Sequence, residues 1–354
     1  MKIAIVGTGL MGRILALELS NTTHELSLFD KHDADAHTSC LYAGAGMIAP
    51  SCELEEAREI INQLGLQSLQ VWPQILAKLD NPIFYQHTGT VVVAHPGDHE
   101  ELIHLKEAIT KKSHVTEGAR IIGQQELSEL EPELTPHFSQ GIYFPLEGQI
   151  DNRAFIEVST KTILSRKIPW KTNCNIQSLD SHTITHDNET HTFDWVIDTR
   201  GLGAQQDLNT LRGVRGELIV VRAPEVHLTR PVRMLHPRYR LYVVPRPNNI
   251  YLIGATAIES QDLSPISVRS TLELLSAAYA LHTGFAEARI LETVVNCRPA
   301  FSNNLPKIMC SDGLIRINGL YRHGFLIGPA LAQITVDYLN NNSINSLGKA
   351  VMEI

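Results

Sequence analysis

The sequence has no hydrophobic run near the roughly 18–20 residues that a membrane-spanning helix needs. It has only five cysteines, which are Cys40, Cys52, Cys174, Cys297 and Cys310. Their number is odd, they lie far apart and none forms a C-x-x-C pair, so neither a disulfide framework nor a zinc site is expected. We therefore expect reduced thiols, a cytoplasmic location and no membrane partner.

The chain also lacks an excess of positive charge. It contains 30 Lys and Arg and 38 Asp and Glu, which gives a net charge of -8. This balance argues against a nucleic-acid partner. No nucleophile motif of the G-x-S-x-G type, phosphate-binding P-loop or H-E-x-x-H metal motif occurs. We expect neither a metal site nor a side chain acting as catalytic acid or base, and this pattern is typical of enzymes whose cofactor carries the chemistry.

What is present fits an ordered protein of about two domains. The 354 residues are 43% hydrophobic and 19% charged, and a domain is typically about 100–200 residues long.

The first thirty residues follow the order strand, glycine turn, helix, strand, acid. The first strand is Lys2–Val6, residues 7–12 read GTGLMG, and a second strand at Leu26–Phe29 ends at Asp30.

This order predicts a dinucleotide-binding βαβ unit. Gly7 permits the tight turn, Gly9 lets the backbone approach a pyrophosphate, and Gly12 lets the helix pack on the sheet. Asp30 lies where a carboxylate accepts hydrogen bonds from a ribose diol, which disfavours the 2′-phosphate of NADP. From these residues alone both FAD and NAD remain open.

A second glycine-rich segment, Ala43–Pro50, reads AGAGMIAP. Its small residues would let backbone amides lie against a flat ring system. The alternative is an ordinary turn before a helix, which the apolar spacing predicts over residues 53–79.

Later strands predict how the fold is assembled. A buried-type strand at Trp195–Asp198 runs into a glycine turn, strands dominate from Gly216 onward, and a strand at Leu314–Asn318 precedes a helix from about Gly328 to Leu339. We expect an α/β fold with a Rossmann-type dinucleotide-binding domain, for FAD or NAD, and an inserted α+β antiparallel-sheet substrate domain. The expected limits are 1–80, 145–215 and 300–354 for the former, and 81–144 and 216–299 for the latter.

Three side chains are candidates for substrate binding. Arg298 and Arg322 lie in largely apolar or glycine-rich surroundings, where a buried guanidinium needs an anion. That anion is either a substrate carboxylate or an internal Asp or Glu, and the sequence does not decide between them. Tyr242 is either a core tyrosine or a hydroxyl of the site.

Together these segments resemble the FAD-dependent D-amino-acid-oxidase-like superfamily, and within it the glycine oxidase branch of thiamine biosynthesis. The motifs that carry the resemblance, in chain order, are GTGLMG, AGAGMIAP, IDTRGLGA, LRGVRGE, LYVVPR, LIGATAIES, NCRPAFSNNLP and GLYRHGFLIGPAL. They extend from residue 7 to about residue 331, which is nearly the whole chain.

The resemblance implies noncovalent FAD and a set of contact residues. Beside the three glycines of the turn, these are Leu10, Met11, Asp30, Lys31, Cys40, Leu41, Ala45, Gly46, Met47, Ile176, Leu320, Tyr321, Arg322, His323, Gly324, Phe325 and Leu326. Of these, Cys40 and Leu41 are weak matches. Ala45 to Met47 would line the isoalloxazine, Ile176 would contact the adenine side, and Leu320 to Leu326 would surround the flavin's pyrimidine end.

The resemblance also implies a reaction. Arg298 would clamp a substrate carboxylate, assisted by Tyr242 and Arg322, while glycine or another small amino acid such as D-alanine or sarcosine is oxidised. Dioxygen would accept the electrons to give hydrogen peroxide, and the imine would be hydrolysed or passed to thiazole formation. Ala257 replaces a Met found in some relatives, which leaves the pocket size open.

Two other functions compete with this one. One is a D-amino-acid dehydrogenase that passes electrons to quinone, and the other is a noncatalytic flavin-binding protein. The pair Arg298 and Arg322 argues against the latter, since stability alone rarely favours buried charge. Thiazole synthase and further copies of the same chain are the expected protein partners.

Overall fold

The computed structural model describes residues 1–112, 118–235, 241–341 and 343–354. In chain order the strands are β1 (Lys2–Val6), β2 (Glu25–Phe29), β3 (Met47–Ile48), β4 (Tyr85–Gln86), β5 (Thr90–Ala94), β6 (Arg120–Gly123), β7 (Gln140–Phe144), β8 (Gly148–Ile150), β9 (Trp170–Lys171), β10 (Ser178–Asp180), β11 (Thr183–His186), β12 (Glu189–Thr192), β13 (Trp195–Asp198), β14 (Arg212–Arg222), β15 (Val232–Leu235), β16 (Leu241–Arg246), β17 (Ile250–Gly254), β18 (Arg289–Ala300), β19 (Lys307–Ser311), β20 (Leu314–Asn318) and β21 (Met352–Glu353). The helices are α1 (Leu10–Leu19), α2 (Cys40–Ala43), α3 (Glu59–Leu76), α4 (His99–Lys112), α5 (Gln124–Leu130), α6 (Asn152–Ser165), α7 (Val268–Leu281), α8 (Gly324–Asn341) and α9 (Ser346–Val351).

A seven-stranded sheet in the order β21-β19-β20-β13-β1-β2-β9 forms the first half of the fold. Its neighbours pair in parallel apart from β19 and β20. Residues 3–6 of the inner strand β1 are all buried, as expected for a parallel strand covered on both faces. Helices α1, α3, α6 and α8 contribute buried apolar side chains to the core beside it.

An eight-stranded sheet in the order β18-β14-β17-β16-β15-β5-β7-β6 forms the second half. All its neighbours are antiparallel except β15 and β5. Alternate residues of β14 point to opposite faces. Ile219 and Val221 belong to the core that includes α7, whereas Leu218 and Val220 belong to a separate cluster with Ala45.

These sheets confirm the expected fold class, a Rossmann-type sheet combined with a largely antiparallel second sheet. The strands of the second sheet come from residues 90–144 and 212–300. The strand-rich segment expected from Gly216 onward begins earlier, at Arg212, because Arg212–Arg215 already pair with β18. The domain limits as such stay a prediction.

Two predicted helices differ from the observed ones at their ends. The helix predicted over residues 53–79 is α3, which spans Glu59–Leu76, and a separate 3-10 helix, Cys52–Glu55, precedes it. That early turn allows Glu53 to pair with Arg322. The helix predicted from Gly328 is α8, which already begins at Gly324. Across the described ranges, no helix is long and apolar enough to cross a membrane.

Candidate cofactor and substrate site

A cavity of about 1060 Å³ is lined by residues of both large sheets. Its volume lies at the upper end of the ~300–1,000 Å³ that is usual for small-molecule and cofactor sites. Every residue predicted to bind cofactor or substrate lines this cavity except Gly12. Side chains that are far apart in the sequence therefore meet around one space.

The three glycines of the N-terminal turn have three different surroundings. Gly7 has a φ of +92°, and a Cβ on it would lie 2.7 Å from backbone atoms of Arg200. A Cβ on Gly12 would lie 2.1 Å from the Gly7 carbonyl oxygen. A Cβ on Gly9 would meet no protein atom within 4 Å, so the backbone there borders open space.

Helix α1 starts at this open space without a side chain to cap it. Its N-cap residue is Gly9, which supplies no side-chain cap, and among the described residues no side chain hydrogen-bonds to the amides of the first turn. The first amides of a helix have no partner within the helix and attract anions. The residues present therefore fit a pyrophosphate at Gly9, Leu10 and Met11.

Asp30 is held against the glycine turn. Its Oδ2 accepts hydrogen bonds from the backbone N–H and the hydroxyl of Thr8, and its Oδ1 accepts one from the N–H of His32 at 2.9 Å. A carboxylate has about four acceptor positions, so these three bonds fix its orientation and leave room for one more. Lys31 and Ile176 line the cavity as well. This arrangement fits a ribose hydroxyl as the fourth partner.

The loop from Ala45 to Met47 is held by a buried cation. Nη2 of Arg246 donates to the carbonyl oxygens of Ala45 at 2.6 Å and Ile150 at 2.8 Å. Burial lowers the pKa of Arg246 to about 10. Gly46 has a φ of +63°, and a Cβ on it would lie 2.0 Å from the Ile150 oxygen. Arg246 and Gly46 thus keep this loop pressed against β8, with Ala45, Gly46 and Met47 at the cavity.

Residues 320–326, which form the turn before α8 and the first residues of that helix, are part of the cavity wall. The N–H of Tyr321 donates to the Pro299 carbonyl at 2.8 Å, and Tyr321 has a φ of +51°. The indole N–H of Trp72 donates to the Phe325 carbonyl, also at 2.8 Å. The N-terminus of α8 is therefore tied to β18 on one side and to α3 on the other. Cys40 and Leu41 of α2 also line the cavity, and Cys40 donates to the Cys297 carbonyl at 3.1 Å.

Arg298 reaches the cavity from β18. Its Nη1 donates to the carbonyl oxygens of Thr256 at 3.0 Å and Arg215 at 3.4 Å. Within the described part of the chain, no carboxylate lies within 4.0 Å of its guanidinium, and neither Nε nor Nη2 has a hydrogen-bond partner. The side chain is thus anchored through one nitrogen and has a free edge for an anion.

Tyr242 lies close to the same group. It is half-buried, and burial raises the pKa of its hydroxyl, while Arg298, Glu53, Arg322 and Arg233 are near enough to influence that pKa. The hydroxyl therefore stays protonated at neutral pH and can donate a hydrogen bond. This favours the site role over that of a core tyrosine without deciding it.

Arg322 has two carboxylate partners inside the protein. Its Nε and Nη2 each lie 2.7 Å from Oε2 of Glu53, and its Nη1 lies 2.6 Å from Oε2 of Glu56. This is the internal ion pair that the sequence left open as an alternative. A direct contact of Arg322 with a substrate carboxylate stays a prediction.

Burial and the charges around Arg322 shift the pKa values of Glu53 and His323. Burial alone would raise the pKa of Glu53, but Arg322, His323 and Arg233 hold it at about 2. Burial lowers the pKa of His323 to about 4, against the opposing effect of Glu53. At neutral pH the cluster therefore contains an ionised Glu53 and a neutral His323.

Sequence reasoning missed several residues of the site. Glu53 and Arg233 line the cavity but were not singled out, and Gly216 and Gly254 lie directly beneath Arg298 and Tyr242. A glycine inside a strand often marks a close approach of another group. The glycines within the strand-like sequences LRGVRGE and LIGATA could therefore have indicated that another group packs closely against Gly216 and Gly254.

Comparison with known proteins agrees with this geometry. Residues 2–338 match the model of the family described as FAD dependent oxidoreductase. The chain is 35% identical over 332 residues to a putative thiamine biosynthesis oxidoreductase, ThiO, of Rhizobium etli, covering 94% of each chain. It is 26% identical to a glycine oxidase of Geobacillus kaustophilus, covering 95% of this chain and 92% of the relative.

A crystal structure of glycine oxidase from Bacillus cereus has the same fold, with a TM-score of 0.84 at 20% identity over 98% of this chain and 99% of the other. A bifunctional ThiO/ThiG protein of Trichormus variabilis is 22% identical, and the match covers 95% of this chain but 52% of that protein.

With the family match, the fold, the cavity and the glycine turn define a flavin-dependent oxidoreductase. The chain belongs to the FAD dependent oxidoreductase family.

Proposed function

We propose that the protein oxidises glycine, and with it other small amino acids such as D-alanine and sarcosine, with release of hydrogen peroxide. For glycine the balanced reaction converts glycine, dioxygen and water into glyoxylate, ammonia and hydrogen peroxide. The observation that carries this proposal is one cavity with a glycine turn suited to a pyrophosphate and a guanidinium, Arg298, without a carboxylate partner among the described residues.

Noncovalently bound FAD would supply the two-electron oxidation and the reaction with dioxygen. The residues that would hold it are those of the N-terminal turn, Asp30, the Ala45–Met47 loop and the turn before α8. Support comes from the open space at Gly9, the orientation of Asp30 and the buried anchor of the loop.

Arg298 would bind the substrate carboxylate through Nε and Nη2, the two nitrogens that no described residue contacts by a hydrogen bond. Tyr242 would donate its hydroxyl hydrogen to the same carboxylate, since its raised pKa keeps it protonated. These contacts would orient the α-carbon, and orientation alone can lower a barrier by several kcal/mol. Arg322 would assist by exchanging its contact with Glu53 or Glu56 for the substrate carboxylate, since these two carboxylates occupy its nitrogens and offset its charge.

No side chain is assigned as a catalytic acid or base. The substrate amine must be neutral when it is oxidised, so a base with a pKa near the working pH would help. Glu53 has a pKa of about 2 and is too weak a base for that purpose. The substrate would therefore lose its ammonium proton to solvent.

The same proposal places the reaction before thiazole formation in thiamine biosynthesis, with thiazole synthase as the consumer of the imine. It is supported by the relatives called ThiO and ThiO/ThiG. The five cysteines are all free, which is consistent with a reducing compartment such as the cytoplasm. Assembly into a homo-oligomer stays a prediction.

A panel of amines tests the proposal. Purified protein is supplied with glycine, sarcosine, D-alanine and bulky L-amino acids, and both oxygen consumption and reduction of an artificial dye are measured. We expect the small substrates to consume oxygen and yield peroxide. Dye reduction without oxygen consumption would instead show a dehydrogenase, and activity on L-phenylalanine above that on glycine would contradict the substrate class.

A further inference from the structure

Arg298 lies across a glycine of the neighbouring strand. Strands β14 and β18 are antiparallel, with Val214 opposite Arg298 and Gly216 two residues further along β14. A Cβ on Gly216 would lie 2.3 Å from Nη2, 2.4 Å from Cζ and 2.6 Å from Nη1 of Arg298. The guanidinium therefore occupies the space that any side chain at position 216 would need.

The backbone of Gly216 does not itself require glycine. Its φ lies outside the range that L-residues avoid, and it pairs regularly with Asn296 within the ladder. The requirement at this position is therefore space for Arg298 rather than conformational freedom.

Tyr242 on β16 and Gly254 on β17 show the same arrangement. It lies opposite Gly254 in the pairing of β16 with β17. A Cβ on Gly254 would lie 2.6 Å from Cζ and from the hydroxyl oxygen of Tyr242. Both polar side chains proposed to bind the carboxylate thus lie flat on a glycine.

We propose that Gly216 is a positioning residue, which keeps the Arg298 guanidinium flat on the sheet so that Nε and Nη2 face the substrate carboxylate. The inference rests on the proposed function, since it takes Arg298 as the anchor of that carboxylate. An alanine at position 216 would lift the guanidinium away from the Thr256 carbonyl, which now fixes its Nη1 at 3.0 Å. A displacement near 1 Å in such an anchor can lower activity by up to about 100-fold.

The test compares Gly216→Ala with Gly213→Ala. Gly213 lies on the same strand, and a Cβ there would first meet Cγ of the Gln261 side chain, at 2.8 Å, rather than Arg298. We expect Gly216→Ala to raise the KM for glycine, and the Kd of the unreactive analogue glycolate, on the order of 10-fold. FAD content should be unchanged, and Gly213→Ala should show neither rise. Equal effects of the two substitutions would overturn the proposal.

A double-mutant cycle with Arg298→Ala separates positioning from a general effect on the strand. Without the guanidinium, Gly216→Ala should weaken glycolate binding no further, because the group it displaces is gone. If the double variant weakens glycolate binding by the product of the two single fold-changes, the proposal is contradicted. If Gly216→Ala alone does not fold, folding of the double variant would support the clash with Arg298, and failure of both would contradict it.

The variants Arg298→Ala and Gly216→Ala distinguish failure of the carboxylate anchor from failure of its positioning. If Arg298→Ala leaves glycolate binding unchanged, the proposed carboxylate anchor is wrong. If Arg298→Ala weakens binding and Gly216→Ala does not, only the positioning role of Gly216 is wrong.

Discussion

Arg322 binds Glu53 through two nitrogens at once, with Nε and Nη2 both 2.7 Å from the same carboxylate oxygen. This ion pair joins the turn before α8 to the 3-10 helix before α3, so it fixes two walls of the cavity against each other. It also explains why two arginines that look alike in the sequence differ in the structure. Arg322 is paired internally, whereas Arg298 is the one with a free edge.

The first prediction concerns acid stability. Glu53 has a pKa of about 2 in the folded protein against an ordinary value of 4.5. Because the folded pKa is lowered, its contribution to stability is complete above pH 4.5 and is lost as the pH falls from there towards 2. Over that window the free energy of unfolding should decrease by about 1.4 kcal/mol per pH unit on account of this group.

Glu53→Gln should therefore be less stable than the parent at pH 7, and this difference should shrink below pH 4.5. Urea unfolding of flavin-saturated protein at several pH values measures it. Glu287→Gln, which alters a carboxylate that is 70% exposed, serves as the control and should leave the pH dependence unchanged. A parallel pH dependence for parent and Glu53→Gln would show that the ion pair does not stabilise the fold.

The second prediction concerns cofactor binding at the glycine turn. Gly9→Val should lower the FAD content of the purified protein, because its side chain would enter the open space at the N-terminus of α1. Gly123→Val is the matched control, since a Cβ at Gly123 also meets no atom within 4 Å but lies outside the cavity. Flavin content is measured by absorbance after denaturation. Parental FAD content in Gly9→Val would mean that Gly9 serves only the turn.

The third prediction concerns the carboxylate anchor. Arg298→Ala should lower kcat/KM for glycine about 10- to 1000-fold, since hydrogen bonds to charged groups contribute about 1.5–3 kcal/mol and a buried carboxylate left unpaired costs more. Most of the loss should appear in KM, because the carboxylate is bound in the ground state as well as in the transition state. Arg298→Lys should restore part of it, since a point charge cannot replace a planar fork.

The melting temperature and the FAD content distinguish an anchor from a structural residue. Both should change little in Arg298→Ala, because no internal carboxylate within 4.0 Å of this side chain was found among the described residues. Steady-state kinetics, flavin absorbance and thermal unfolding of the same preparation give the comparison. An unfolded or flavin-free variant with an unchanged KM in the surviving fraction would make Arg298 a structural residue.

Local patterns in the sequence were enough to predict the glycine turn and the acid after β2, because these residues follow one another within one βαβ unit. Glu53 was placed inside a predicted helix, since periodicity cannot show that a distant Arg322 would hold it in a separate turn. Gly216 became meaningful only through the pairing of β14 with β18. Contacts between remote strands set these positions, and a single sequence does not contain the register.

The most direct test of the account is to mix the purified protein with glycine in the absence of oxygen and then admit air. We expect a yellow protein whose flavin absorbance is bleached by glycine and restored by oxygen, with one hydrogen peroxide and one glyoxylate formed per glycine consumed. A flavin absorbance that glycine leaves unchanged, while the protein carries its full content of FAD, would contradict it.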